Sequence, residues 1–531
     1  GIISWFFIYC LFQKMTLKAK IYILLAVQCC FWSCLQQETK QDPPTNDSVQ
    51  GYSELYRPSY HFTPPQNWMN DPNGLVYYEG EYHLFYQYNP YETKWGHMSW
   101  GHAVSPDLVR WKHLPVALYE EEEIMIFSGS AVVDRGNKSG LCDEPAGDCM
   151  VAIYTSHIED SVQYQSLAYS NDKGRSWEKY PGNPVLDLYK KDFRDPKVFW
   201  HPESGQWIMV VALPNEFMVQ FYASSNLVEW KYLSDFGGIG NMEKIWECPD
   251  LFPVEVTTDQ GFETKWVLIV SAGGPQKDYV GMQYFVGSFD GITFQLDSDF
   301  TPPKWVDFGK DYYAAVTYNH VPNNRILLGW ANNWAYAQDV PTSTWRGAMA
   351  LPREVSLLAD PSGSYQLRQQ PVSKLSGLRV ERHRFRDIRI NEQELPMDSL
   401  FGLSLEMNLQ FKPDGADEFG IKVLEGNGKA TSIIYRTADQ ALIFDRTNSG
   451  NVGFNDMFPG ADTVNIPLEA GFLNLRVFID HSLVEVFAQN GKFTLVNQVF
   501  NGKQSGISWY AKGGEVVLTK AEVWKLRSVW D

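Results

Sequence analysis

Five polar openings recur along the first two thirds of the chain, and their spacing limits what it can fold into. Asn70-Asp71 precedes the β-like run Leu75-Val-Tyr-Tyr78, Phe127-Ser128 precedes Ala131-Val-Val133, and Arg194-Asp195 precedes Lys197-Val-Phe-Trp200. Glu247 precedes Leu251-Phe-Pro-Val254, and Asp311-Tyr-Tyr313 precedes Ala314-Ala-Val-Thr-Tyr318. From Asp71 the steps are about 56, 68, 52 and 64 residues, roughly one four-stranded blade with its loops. A second echo runs out of phase with the first, at Ser105-Pro-Asp107, Ser170-Asn-Asp172, Ser224-Ser-Asn226 and Ser288-Phe-Asp290. Each is a turn signal followed by an aromatic (Trp111, Trp177, Trp230, Phe294) that can anchor the outer part of a blade. Two interleaved repeats of similar period predict an all-β, five-bladed propeller. The first strand of each blade lines the central channel in such a fold, so the five openings should meet in one funnel.

Three of the openings carry an acid among aromatic, Pro or Gly neighbours: Trp68-Met-Asn-Asp-Pro-Asn-Gly74, Phe193-Arg-Asp-Pro196 and Trp246-Glu-Cys-Pro-Asp250. Each acid is expected just before a strand. A carboxyl there is partly desolvated, so its proton affinity and hydrogen bonding can be tuned. Singly, each stretch reads equally well as a turn, because Asp-Pro and Asn-Gly are strong turn signals. Three in order are harder to assign to turns alone. Two carboxylates about 5–5.5 Å apart are what a retaining glycosidase needs, one as nucleophile and one as acid/base.

Beyond Arg368-Gln-Gln-Pro371 the repeat stops, and period-2 strands follow at Leu403–Leu409, Leu475–Asp480, Leu483–Phe487 and Phe493–Phe500. These predict an antiparallel β-sandwich of about 150 residues with a structural role. The expected organisation is therefore residues 1–35 as a targeting segment, 36–54 as a polar linker, 55–368 as the propeller, and 369–531 as linker and sandwich. Lys18 and Lys20 followed by the short apolar run Ile21–Trp32 read as an export signal, with Met15 as its start. That run falls short of the about 18 residues of a membrane anchor. Cys34 resembles the lipid-acceptor cysteine of a bacterial lipoprotein, which would tether the chain to a membrane; the alternative is a plain signal-peptide cysteine. The expected location is outside the cytoplasm: extracellular, periplasmic or at the cell surface.

A formal charge of −18 at pH 7 makes nucleic acid an improbable partner. Aromatics at 15% suit neutral sugars, whose apolar faces stack on indole and phenol rings. Cys142 and Cys149 flank a short loop and can pair in an oxidising compartment, while Cys248 has no evident partner. With no His/Cys cluster at ligand spacing, neither a metal nor another cofactor is expected. His97 and His102 read as structural histidines, and Glu120-Glu-Glu-Glu123 as a solvated loop.

On its motifs the chain resembles glycoside hydrolase family 32, the β-fructofuranosidases, from about Tyr56 onward. The stretches that carry the likeness are Asn70–Gly74, Phe85-Tyr-Gln-Tyr-Asn-Pro90, Trp95-Gly-His-Met-Ser-Trp-Gly-His102, Phe127-Ser-Gly-Ser130, Phe193–Pro196, Trp246–Asp250 and Asp480-His-Ser-Leu-Val-Glu-Val-Phe487. The resemblance implies a propeller followed by a sandwich, and β-fructosidase action on levan, inulin or sucrose with an oligo- or polysaccharide as partner; five openings converging on a funnel closed at its inner end predict release of single fructose units from a chain terminus. It makes Asp71 the nucleophile, Glu247 the general acid/base and Asp195 the group that holds fructosyl hydroxyls. Asn70, Gln87, Trp95, Phe127, Ser128, Arg194, Tyr313 and Trp330 would line the fructose pocket, with Tyr312 replacing Tyr313 if the alignment slips by one. Arg194 is expected to hold Asp195 ionised, and burial beside Trp246 to keep a proton on Glu247. The rival readings are an arabinan-acting inverting glycosidase, a non-catalytic fructan-binding protein and a fructosyltransferase on the same fold.

Overall fold

The computed structural model describes residues 52–258, 261–360 and 363–530, leaving out the side chains of 398 and 399. The targeting segment 1–35, Cys34 with its lipid tether, and most of the linker 36–54 lie outside the described residues. Five antiparallel sheets come first, and each is a meander whose first strand is innermost. The inner strands are Asn67–Tyr78, Ile124–Asp134, Arg194–His201, Glu247–Thr258 and Tyr313–Thr317. Each packs against the inner strand of the next blade, and the fifth packs against the first. Trp345–Arg346 adds to the first sheet in parallel, beside Asn67–Trp68. The fifth sheet ends with Tyr365–Pro371, which crosses position 368. This is a five-bladed propeller, and its core is the set of apolar faces between blades.

The out-of-phase echo joins the third strand of a blade to the fourth. Asp107 Oδ1 accepts the Val109 and Arg110 amides at 3.0 and 2.8 Å, Asn226 Oδ1 accepts Val228 and Glu229 at 3.1 and 2.9 Å, and Asp290 Oδ1 accepts Ile292 and Thr293 at 2.8 and 2.7 Å. A short polar side chain that satisfies two backbone donors fixes each turn, which is why these positions repeat. Asn319 ties blades together: its amide nitrogen donates to Ala131 and Val198 carbonyls at 2.8 and 2.9 Å, and its backbone N–H to Leu75 at 2.9 Å.

The polar openings sit inside the inner strands, not before them, except that Asp311 and Tyr312 precede Tyr313–Thr317. All five strands carry a β-bulge there: between Met69 and Pro72, Ile126 and Gly129, Arg194 and Lys197, Glu247 and Asp250, and Tyr313 and Val316. A bulge leaves residues unpaired and re-aims their side chains, which frees them for a site without ending the sheet.

Two six-stranded antiparallel sheets follow and pack as a sandwich around Trp509, Phe411 and Phe419. Its junction with the propeller is polar and buried. Asp480 accepts the backbone amides of Ser59, Tyr60 and His61 at 2.6, 2.8 and 3.0 Å, and the His61 ring lies between Asp480 and Glu485 at 2.9 and 3.1 Å. Arg353 bridges Asp307 and Glu485 at 3.0 and 3.1 Å. Asp311, counted above among the openings, faces this junction instead, where it pairs with Arg446 at 2.6 Å and accepts the Tyr336 hydroxyl. No helix among the described residues is long and apolar enough to cross a membrane.

Candidate active site

Arg194, Glu247 and Tyr313 hold the same place in three successive blades, the last paired residue before the bulge. That equivalence brings their side chains together. Arg194 Nε and Nη2 donate to Glu247 Oε1 at 3.1 and 2.9 Å, and the Tyr313 hydroxyl donates to Glu247 Oε2 at 2.6 Å. Tyr313 is thus the tyrosine at Glu247, whereas Tyr312 lies under the Arg353 guanidinium, 4.2 Å from its ring centre. Trp246 turns into the blade core, where its indole donates to Asn241 O at 2.7 Å and its ring meets Phe285.

Asp71 enters from the first blade. Its Oδ1 accepts the Asn70 amide at 3.0 Å, and its Oδ2 accepts the Ser128 hydroxyl at 2.8 Å. Burial raises its carboxyl above the ordinary range, the Asn70 hydrogen bond opposes this, and the nearby Glu247 adds to it. Asp195, only 6% exposed, occupies the left-handed region with φ 67°. Non-glycine residues held there cluster at functional sites. Burial, against the opposing pull of Arg194 and with the help of Glu247 and Asp71, pushes Asp195 up to about 7. The Cys248 backbone N–H donates to Asp195 Oδ2 at 2.9 Å. The Cys248 thiol, which had no evident partner in sequence, lies 3.5 Å from both Asp71 Oδ2 and Asp195 Oδ2.

The expected contact of Arg194 with Asp195 is corrected. Among the described residues the guanidinium donates to Glu247, to Asp192 at 2.9 Å and to Gln163 at 3.2 Å. Side chains on adjacent residues at a bulge leave in different directions, so Arg194 reaches across to the next blade while Asp195 turns inward.

The other expected pocket residues fall into two groups. Asn70 and Ser128 touch Asp71 directly. Gln87 is buried and donates to Ile126 O at 3.0 Å, bracing the second inner strand. Trp95, 37% exposed, meets Phe127 edge-on, and Phe127 stacks on His157 with ring centres 4.3 Å apart. Trp330 is fully buried against Trp68 and Trp334, beneath Asn70, whose Oδ1 accepts the Trp68 indole N–H at 2.7 Å. Trp334, Gln163 and Asp192 carried no signal, since none lies in a distinctive motif. His97 pairs with Glu120 at 2.7 Å, and His102 is buried against His83. A separate cavity of about 1310 Å³ opens at the opposite ends of the inner strands, lined by Lys197, Trp200 and Arg325 and remote from the carboxylates.

Cys142 and Cys149 form a disulfide with Cα atoms 5.3 Å apart, and Cys248 is the free cysteine of the described residues. Asp134 with those two cysteines makes the one group of donors within metal-ligand range among the described residues, and the disulfide already joins both sulfurs.

Three carboxyls from the first, third and fourth blades thus share one polar cluster, with buried tryptophans packed beside Asn70 and the pair Trp95 and Phe127 next to Ser128. Such an arrangement can attack, protonate and hold a neutral polyhydroxy substrate. Residues 61–371 match the model of the glycosyl hydrolases family 32 N-terminal domain, and 374–525 that of the family 32 C terminal. A levanase of Bacillus subtilis is 46% identical, over 90% of this chain and 72% of its own. An extracellular exo-inulinase of Aspergillus awamori is 38% identical, over 90% and 96%. The crystal structure of exo-inulinase from Aspergillus awamori superposes with a TM-score of 0.86 at 36% identity, covering 91% of this chain and 100% of that one. Fructofuranosidase from Schwanniomyces occidentalis, complexed with fructose, gives 0.82 at 33% identity, covering 90% and 100%.

Proposed function

The chain belongs to glycosyl hydrolase family 32, and from that membership we propose how its site works as a β-fructosidase on fructan and sucrose. Asp71 is the nucleophile. Its two oxygens are oriented by Asn70 and Ser128, which leaves a fixed carboxylate to meet C2 of a terminal fructofuranoside as positive charge develops there. Glu247 gives the leaving oxygen its proton, then takes one from water so that the fructosyl-enzyme is released with configuration kept. Arg194 and Tyr313 hold Glu247 from two sides. Asp195 binds fructosyl hydroxyls from below.

The observation that carries this reading is the Cys248 thiol standing 3.5 Å from both Asp71 and Asp195, on the residue next to Glu247. It ties three carboxyls from three blades to one spot. The test is product analysis on levan, inulin and sucrose. Fructose as sole early product is expected. Early oligosaccharides would mean endo-action, trisaccharide formation at high sucrose would mark fructosyl transfer, and inactivity on all three would end the reading.

Relatives that include an extracellular exo-inulinase support export of this chain as well. A lipid on Cys34 is then the proposed tether. Incorporation of labelled palmitate that is lost in Cys34→Ala would support it, and equal labelling of the variant would refute it.

A further inference from the structure

The Arg194 guanidinium has two working edges. Nε and Nη2 face Glu247 Oε1, while Nη1 faces Asp192 Oδ1 at 2.9 Å. Asp192 Oδ2 accepts the Asn215 amide at 2.7 Å. Asn215 lies in the short turn Pro214–Glu216, and Pro214 O accepts the Trp246 backbone N–H at 3.2 Å. The circuit therefore closes on the residue before Glu247. We propose that Asp192 is a positioning residue for proton transfer, holding Arg194 against Glu247 and sharing its charge. The inference rests on Glu247 being the proton donor.

The physical need is plain. A guanidinium parked on a carboxylate favours the ionised form, yet a general acid must carry a proton at working pH. A second carboxylate on the far edge of the same guanidinium offsets part of that pull. Glu247 is also faced by Asp195 from its own neighbouring blade, by Asp71 and Tyr313 from the first and fifth, and by the Cys248 thiol beside it. His157 and Lys191 stand near Arg194 and Asp192, with burial lowering His157 from its ordinary value. Among the described residues, Asp192 is the one carboxylate besides Glu247 that is hydrogen-bonded to Arg194. Replacing it with Asn leaves the full cationic charge of Arg194 facing the proton donor.

The experiment compares pH–rate profiles of wild type, Asp192→Asn, Asp192→Glu and Glu247→Gln on sucrose and on an activated aryl fructoside. For Asp192→Asn the alkaline limb of kcat/KM on sucrose should move to lower pH by about 0.5–1 unit. Its kcat should fall about tenfold on sucrose and much less on the aryl fructoside, whose departure needs little acid assistance. Asp192→Glu should return the limb toward wild type. An unmoved limb, or equal losses on both substrates while Glu247→Gln still discriminates between them, overturns this proposal. Equal losses for Glu247→Gln would instead sink the proton-donor reading on which it rests. Should Asp192→Asn not fold, Asn215→Ala, which frees Asp192 but keeps its charge, must still lose more on sucrose than on the aryl fructoside; equal loss refutes the role.

Discussion

Arg194 meets Glu247 through one edge of its guanidinium, at 2.9 Å, and no hydrogen bond among the described residues joins it to Asp195, its neighbour in sequence. The bulge register explains both facts. Arg194 is equivalent to Glu247 and Tyr313, so it extends sideways from blade to blade, while Asp195 occupies the unpaired position that points inward. Asp195 is consequently a buried carboxyl whose own guanidinium neighbour is engaged elsewhere.

That isolation has a measurable cost. With a folded value near 7 against an ordinary 3.8, Asp195 favours the folded state when protonated. Its contribution is greatest at low pH and is lost as pH rises from about 4 through 7, leaving an ionised group that costs on the order of 2–4 kcal/mol above that window. Asp195→Asn should therefore raise Tm by several degrees at pH 8, show little gain near pH 4, and lose activity by orders of magnitude. A variant that is less stable than wild type at pH 8 would mean that the ionised carboxylate is well accommodated.

Asp71→Ala removes the proposed covalent route while taking away only a partly exposed side chain with two hydrogen-bond donors to satisfy. A loss of several orders of magnitude in kcat is expected with the fold intact by circular dichroism. Retention of more than about a tenth of wild-type kcat would rule out the nucleophile role.

Much of this was legible from spacing, and the reasons are specific. Each inner strand needs a bulge to aim side chains at the channel, so polar residues recur at one place per blade; each blade needs an Asx-type turn between its outer strands, so Asp107, Asn226 and Asp290 recur out of phase. The acids stood out because indole and proline flank them. What spacing could not supply was direction. Glu247 lies 53 positions from Arg194, and only the bulge register reveals that they are equivalent. Asp311 sits two residues before its inner strand, whereas the other openings lie within theirs, and it turns away to the sandwich. The sandwich motif is the clearest case: Asp480 and Glu485 clamp a segment more than 400 positions upstream, as the 419-residue separation of Asp480 from His61 shows, and no local pattern encodes that.

That clamp makes a prediction about pH and stability. Burial alone would lower His61, but hydrogen bonds to Asp480 and Glu485 push it up to about 9. A histidine raised above its unfolded value of about 6.5 contributes stability that is complete below 6.5 and is lost as pH climbs through 9. His61→Gln should thus cost on the order of 1–3 kcal/mol at pH 6 and distinctly less near pH 10. Thermal unfolding of both proteins across that range is the measurement, and a pH-independent difference would show that His61 is uncharged in the fold.

Glu247→Gln keeps an acceptor oxygen for Arg194 and turns its NH2 toward the Tyr313 oxygen, but it has no acidic proton to give. Loss should be severe on sucrose and small on an activated aryl fructoside, because only the poor leaving group needs a proton. Equal loss on the two substrates would assign Glu247 another task, such as holding Arg194 and Tyr313 in place.

The proposed roles also predict the stereochemistry and the mode of attack. Beside Asn70, Trp68, Trp330 and the partly buried Trp334 pack with ring centres 4.8 to 6.0 Å apart. A site with a packed base admits a chain terminus and excludes its middle, so single fructose units should leave from the non-reducing end of levan or inulin. Asp71 and Glu247 come from the first and fourth blades and influence each other directly. With Asp71 as nucleophile and Glu247 as proton donor, the pair should work by double displacement, with no water between them in the first step. The sugar should therefore appear as β-fructose. NMR recorded before mutarotation decides: α-fructose as first product means inversion and removes Asp71 as nucleophile, while oligosaccharides at early times mean that the base of the site is open.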